Sequence, residues 1–162
     1  MSRDRTARLV YDGAGRYHGT TGTGRRVTYG DAAAENELSP VEMIVVSLAG
    51  CSAMDVWTIA VKKRQPIERY EVAAVATQRD EYPQVLTEIT VTHEVTGPGI
   101  SEAAVRRAIE LSATKYCPVN AMVSAGATEV HHRFVITDTN DLSTTGGHVI
   151  TTGPYRRADV LD

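Results

Sequence analysis

The sequence predicts an α+β fold. Three observations carry that prediction. Segments with the two-residue alternation of half-buried strands recur at Tyr70 to Gln78, Leu86 to Val95 and Glu129 to Thr137. One long apolar helix opens on Ser39-Pro40-Val41-Glu42. The strands come in runs and the remaining helices are grouped, so the order is not a strand–helix alternation. A chain of 162 residues suits one domain with a sizeable core.

The N-terminal part reads as a β-meander. Residues 6–11 (TARLVY) form a first strand, and Asp12-Gly13-Ala14-Gly15 is a turn signal. Arg16 to Thr23 and Arg25 to Tyr29 follow as weaker strands interrupted by Gly22 and Gly24. Gly30 to Ser39 is a loop. Ser39 then suits the N-cap of the long helix, Pro40 its first position and Glu42 the far corner of a capping box. Lys62-Lys63-Arg64 suits the negative end of the dipole, and Pro66 stops the helix. Apolar on nearly every side, this helix is expected at the centre of the core. A second helix starts at Ser101 and ends near Tyr116. Pro118 begins a short third one, which runs to Ser124. Residues 1–137 thus make the domain. Residues 138–162 form a tail, partly disordered or with a short added strand at His148 to Thr151.

Composition excludes several function classes. The net charge of −3 with no basic run leaves no electrostatic footprint for nucleic acid or an anionic membrane surface. Met43 to Ala60 contains 18 residues with Asp55 as the sole charge, which is marginal length for a membrane span and costly at its centre. A buried helix is the expectation. The charged N-terminus has no apolar signal region, so two free thiols in a reducing, cytoplasmic compartment are expected.

Chemistry in this chain is expected at its two cysteines, Cys51 and Cys117. With Pro118 as the first helical residue, Cys117 is an N-cap facing free backbone N–H groups, with Lys115 nearby; both features favour a thiolate. Cys51 sits mid-helix among Gly50, Ser52 and Ala53, with Ser47 and Asp55 four residues to either side on the same face. Asp55 would repel a thiolate, so a reactive Cys51 calls for a cation from elsewhere in the chain. Buried structural thiols are the plain alternative. The five histidines make no metal-ligand spacing, and His131 and His132 point to opposite faces of their strand. No nucleophile elbow or phosphate loop is present, so no cofactor and no metal are expected.

Three runs resemble a known family. They are SPVEMIVVSLAGCSAMDV (Ser39 to Val56), LTEITVTHEVTG (Leu86 to Gly97) and AIELSATKYCPV (Ala108 to Val119). Together they look like the OsmC/Ohr family, over about residues 5–137. The wording around each cysteine is closer to the OsmC-like branch of uncharacterised members than to the organic-hydroperoxide-resistance branch. The resemblance implies two antiparallel sheets around two central helices in an intertwined homodimer, with sites at the subunit interface. It also implies a peroxidase of the oxidative stress response. Cys51 would attack an organic hydroperoxide, Cys117 would resolve the sulfenic acid as a disulfide, and an external dithiol would reset the pair. The alternative is a member without efficient peroxidase activity that binds a small apolar or thiol-reactive ligand at the interface.

The match is incomplete around the thiols. Peroxidase members carry a Glu directly after the Pro that opens the long helix, paired with an activating Arg. Val41 stands at that position here. Glu42 lies nine residues before Cys51, about two and a half turns away and on the opposite side. By spacing Arg16 matches the activating Arg, with Arg25 and Arg26 as alternatives.

Overall fold

The computed structural model describes residues 4–30 and 37–154. Residues 31–36 of the expected Gly30 to Ser39 loop and residues 155–162 of the expected tail lie outside them. Two compact units divide the chain, Met1–Ile44 and Val45–Asp162.

The first unit holds the meander. Strands β1 (Ala7–Gly13), β2 (Arg16–Thr21) and β3 (Arg26–Gly30) form one antiparallel sheet in that order. The β1–β2 turn runs through Gly13, Ala14 and Gly15, all with positive φ, which is why glycines bracket it. Tyr11 and Tyr17 face each other across the ladder with ring centroids 5.0 Å apart. Helix α1 (Pro40–Lys62) opens with the expected capping box. Ser39 N–H donates to Glu42 Oε2 at 2.7 Å, and Glu42 N–H donates to Ser39 Oγ at 3.2 Å. Those bonds hold the Glu42 carboxyl below the usual carboxylate range.

The second unit holds the core. Strands β4 (Arg69–Gln78), β5 (Leu86–Gly97), β6 (Glu129–Asp138) and β7 (Thr144–Thr152) form a sheet in sequence order. The strand expected at His148 to Thr151 is therefore part of a longer β7, paired antiparallel with β6. The sheet is not antiparallel throughout, as the resemblance implied. β5 and β6 run parallel, from Glu88 beside Glu129 to Gly97 beside Asp138. The reason is the crossover: helix α2 (Glu102–Leu111), a π turn (Ser112–Tyr116) and helix α3 (Pro118–Ser124) carry the chain back to the start of β6. Grouping these helices by sequence hid this single strand–helix–strand unit.

Alternation decides what the sheet buries. β5 turns Ile89, Val91, His93 and Val95 inward, and β6 turns Val130, His132, Phe134 and Ile136 inward. Val105, Ala108 and Ile109 of α2 pack on them, with Val56 of α1. Ser101 caps α2 by accepting from Ala104 N–H. Helix α1 is not buried all round. Leu48, Ser52, Val56 and Ala60, spaced by four, are buried, whereas Val46, Met54, Trp57 and Val61 are exposed. One chain supplies a partner for only one stripe of the helix. By length and composition α1 could cross a membrane; here its buried stripe joins the core.

Phe134 is 1% exposed and sits in the middle of this cluster. Phe134→Ala is expected to lower unfolding stability by about 3–5 kcal/mol, read as a lower urea midpoint with an unchanged slope.

Candidate active site

Helical spacing places the first half of the site. Cys51 and Asp55 are four apart on α1 and partly exposed, beside the buried stripe that contains Ser52. The crossover places the second half. The π turn closes with Cys117 N–H donating to the Ser112 carbonyl at 2.9 Å, five residues back. Cys117 then leaves the helical conformation, with φ −76° and ψ 102°, and caps α3. Its Sγ accepts from Asn120 N–H at 3.3 Å, as its place before Pro118 foretold. One sulfur of Cys51, one sulfur of Cys117 and a carboxylate oxygen of Asp55 come together, all within 4.8 Å of one another.

The expected low pKa of Cys117 does not follow from its capping position. Burial pushes the thiol up to about 12, the hydrogen bond with Cys51 adds to the rise, and the Asn120 N–H works against it. A buried group without a facing cation loses more by desolvation than one helix terminus returns. Lys115 does not answer it: its ammonium is exposed and lies over the Tyr116 ring, 5.3 Å from the centroid.

Behind the thiols a line of polar side chains enters the core. Ser112 Oγ donates to Asp55 Oδ2 at 3.1 Å and lies 3.4 Å from Ser52 Oγ. Ser52 Oγ is 3.2 Å from His93 Nε2, and His93 Nδ1 is 2.7 Å from the Tyr70 hydroxyl. Trp57 stacks on Tyr70, Tyr70 on His93 and His93 on His132, at centroid separations of 6.0, 6.1 and 6.1 Å. A second branch returns to Cys117. His132 Nε2 is 3.0 Å from Asn120 Oδ1, and Asn120 Nδ2 donates to the Ala113 carbonyl and to Thr152 Oγ1. His132 Nδ1 is buried without a hydrogen-bond partner among the described residues. Burial, with His132 adding to it, drives the His93 pKa down to about 3. Burial, helped by His131 and His148, brings His132 down to about 4. Burial also raises the Tyr70 hydroxyl well above the usual phenol range.

A model described as OsmC-like protein matches residues 32–133. The chain belongs to the OsmC family. It is 35% identical over 118 residues to protein YhfA of Escherichia coli strain K12, covering 73% of this chain and 88% of that one. The crystal structure of a hypothetical protein from Aquifex aeolicus VF5 superposes with a TM-score of 0.73 at 26% identity, over 83% of this chain and 97% of that one. An organic hydroperoxide resistance protein OsmC from Legionella pneumophila shares the fold, with a TM-score of 0.57 at 14% identity over 80% and 95% of the two chains.

Within this OsmC fold the expected site residues separate. Cys51, Asp55 and Cys117 meet. Glu42 is engaged in the capping box with Ser39. Arg16, on β2 of the first unit, pairs with Asp12 at 3.3 Å. Asp55 forms no ion pair among the described residues. Two soft sulfurs and a carboxylate are also donor types that zinc accepts, and Glu88, Glu129 and His131 form a second, more exposed set of donors. Sequence spacing showed neither set, because tertiary contact makes both.

Ser52, Ser112, Tyr70, His93, Asn120 and His132 were not anticipated as site residues. The signal for the histidines was present. His93 falls in phase with Ile89, Val91 and Val95, and His132 with Val130 and Phe134, so each lies on an apolar strand face. Both are neutral in the folded protein and would titrate near 6.5 when unfolded. Below that pH the unfolded chain binds protons that the folded chain refuses. Their contribution to stability is therefore complete above about pH 6.5 and is lost toward pH ~4 for His132 and ~3 for His93. Thermal or urea unfolding below about pH 6.5 should show a loss approaching 1.4 kcal/mol per pH unit for each histidine, and His132→Gln should remove its share of that slope.

Proposed function

We propose that this OsmC protein is a thiol-dependent peroxidase that reduces organic hydroperoxides through Cys51 and Cys117. The observation that carries the reading is the meeting of the two sulfurs, one partly exposed and one buried, in contact with each other rather than dispersed in the core. The division of exposure supports the division of roles. A thiolate of Cys51, reachable from solvent, attacks the peroxide O–O bond, becomes a sulfenic acid and releases an alcohol. Cys117, held as a thiol, then attacks that sulfur, forming the disulfide and releasing water. An external dithiol returns both to the reduced state. Arg16 is the proposed activating cation, so Arg16→Met should slow the first step without altering the second. The protein is proposed to act in the cytoplasm as a homodimer. The exposed apolar residues Val46, Met54 and Val61 on α1 support such an assembly.

One observation favours a second reading, a binding protein without efficient peroxidase activity. Val45, Val46, Ala49, Gly50, Ala53, Tyr70, Val72 and Ala74 line an open apolar pocket of about 440 Å³. That volume admits a small apolar molecule.

Reduced protein mixed with a small excess of cumene hydroperoxide is expected to lose both thiols, with one alcohol released per disulfide. Cys51→Ser should abolish turnover. Cys117→Ser should stop after one equivalent, with a sulfenic acid that dimedone traps. EDTA should leave the reaction unchanged. Retention of both thiols by the wild type sinks the peroxidase reading and leaves the binding one.

A further inference from the structure

The polar line behind the thiols runs unbroken from Asp55 to Tyr70. A carboxylate only accepts, so Ser112 Oγ donates to Asp55. Ser112 Oγ is also placed as a donor toward Ser52 Oγ, at 3.4 Å, so one hydroxyl joins Asp55 to Ser52. Ser52 Oγ then meets His93 Nε2 at 3.2 Å, and His93 Nδ1 meets the Tyr70 hydroxyl at 2.7 Å, so a neutral ring donates at one nitrogen and accepts at the other. All four bonds are formed by groups that are buried or half-buried. The far end, Tyr70, belongs to β4 and also lines the apolar pocket, so the line connects that pocket wall to the thiols through the core.

We infer that Asp55 carries the proton in the dithiol–disulfide exchange, and that Ser112, Ser52, His93 and Tyr70 are positioning residues that hold its carboxylate for that task. The inference rests on Cys51 and Cys117 working as a pair, as in the proposed function, and not on the identity of the oxidant. The step needs such a carrier because Cys117 is a buried thiol. As its sulfur bonds to Cys51, its proton passes to Asp55, within 4.8 Å of both sulfurs. In the peroxide cycle the S–O bond of the Cys51 sulfenic acid breaks, and the departing hydroxide takes that proton from Asp55 as water. Asp55 is reused. The titratable groups around it are Cys51 on its own helix, Cys117 at the start of α3, His93 and Tyr70 through the serines, and His132 stacked behind His93.

The test uses full-length reduced protein and 5,5′-dithiobis(2-nitrobenzoate), without peroxide. Cys51 attacks the reagent and releases one thionitrobenzoate. Cys117 then displaces a second one: its S–H proton goes to Asp55, the Cys51–Cys117 bond forms, and the mixed disulfide breaks with the electron pair leaving on thionitrobenzoate. The rate of this second release is followed at 412 nm from about pH 6 to about pH 9. The wild type should show a shallow profile. Asp55→Asn should show a rate rising about tenfold per pH unit, since Cys117 must then ionise unaided. Ser112→Ala should lose about tenfold at neutral pH and tilt toward the Asp55→Asn profile. Tyr70→Phe, which removes one hydroxyl remote from both sulfurs, should tilt the same way to a smaller extent. A purely structural role would lower the melting temperature and leave the profile's shape intact. If Ser112→Ala fails to fold, Tyr70→Phe decides. A single release by the wild type, a shallow profile in Asp55→Asn, or wild-type profiles in the folded serine and tyrosine variants overturns the inference. Failure of cumene hydroperoxide to oxidise the thiols would sink the peroxidase reading alone.

Discussion

The arrangement depends on how α1 seats its buried stripe. Leu48, Ser52, Val56 and Ala60 repeat every four residues and face the interior, with Val56 joined to the cluster of β5, β6 and α2. That seating puts Ser52 inside the core and leaves Cys51 and Asp55 at its margin, partly exposed and beside the buried Cys117 thiol. A rotation of one residue would bury Cys51 and expose Ser52, and the line to His93 would break. Apolar packing therefore sets the geometry of the polar site. The reverse also holds, because the buried hydroxyls of Ser52 and Ser112 satisfy one another, and Ser112 ties them to the Asp55 carboxylate at the margin.

The crossover between the parallel strands makes the second contribution. A regular helix continued past Leu111 would add residues at 3.6 per turn. The π turn adds an extra residue instead and ends on Cys117 with its side chain at the α3 N-terminus. Ser112 thereby faces α1 while Cys117 faces Cys51. Asn120, three residues on, ties the same cap to His132 on β6. The thiol of Cys117 is thus fixed from the backbone on one side and from the sheet on the other. That rigidity suits the resolving role proposed for Cys117, which needs one sulfur presented repeatedly in one place.

Two effects compete at Cys117, and their sizes decide its state. The free N–H groups of a short helix favour a thiolate, whereas burial and the adjacent Cys51 sulfur favour the thiol. Burial prevails. The same rule governs His93 and His132, which are neutral donors and acceptors rather than cations. Neutrality lets His93 hold one tautomer with a partner on each nitrogen, and a protonated ring would not accept from Tyr70.

The sequence by itself determined most of the helices and strands and singled out the two cysteines. Strand alternation, the Ser39–Glu42 box and the Cys117–Pro118 step are local signals, and each depends on residues within a few positions of one another. The wording around the two cysteines carried the family. Tertiary structure alone decided the rest. The parallel β5–β6 pairing, the exposed side of α1, the π turn and the meeting of Asp55 with both sulfurs depend on residues far apart in the chain. Their contacts leave no fixed spacing to read. His93 shows the limit most clearly. Its phase marked it as inward-facing, but only the fold shows that Tyr70 and Ser52 stand at its two nitrogens, because strand phase gives a side chain's direction and not its neighbours.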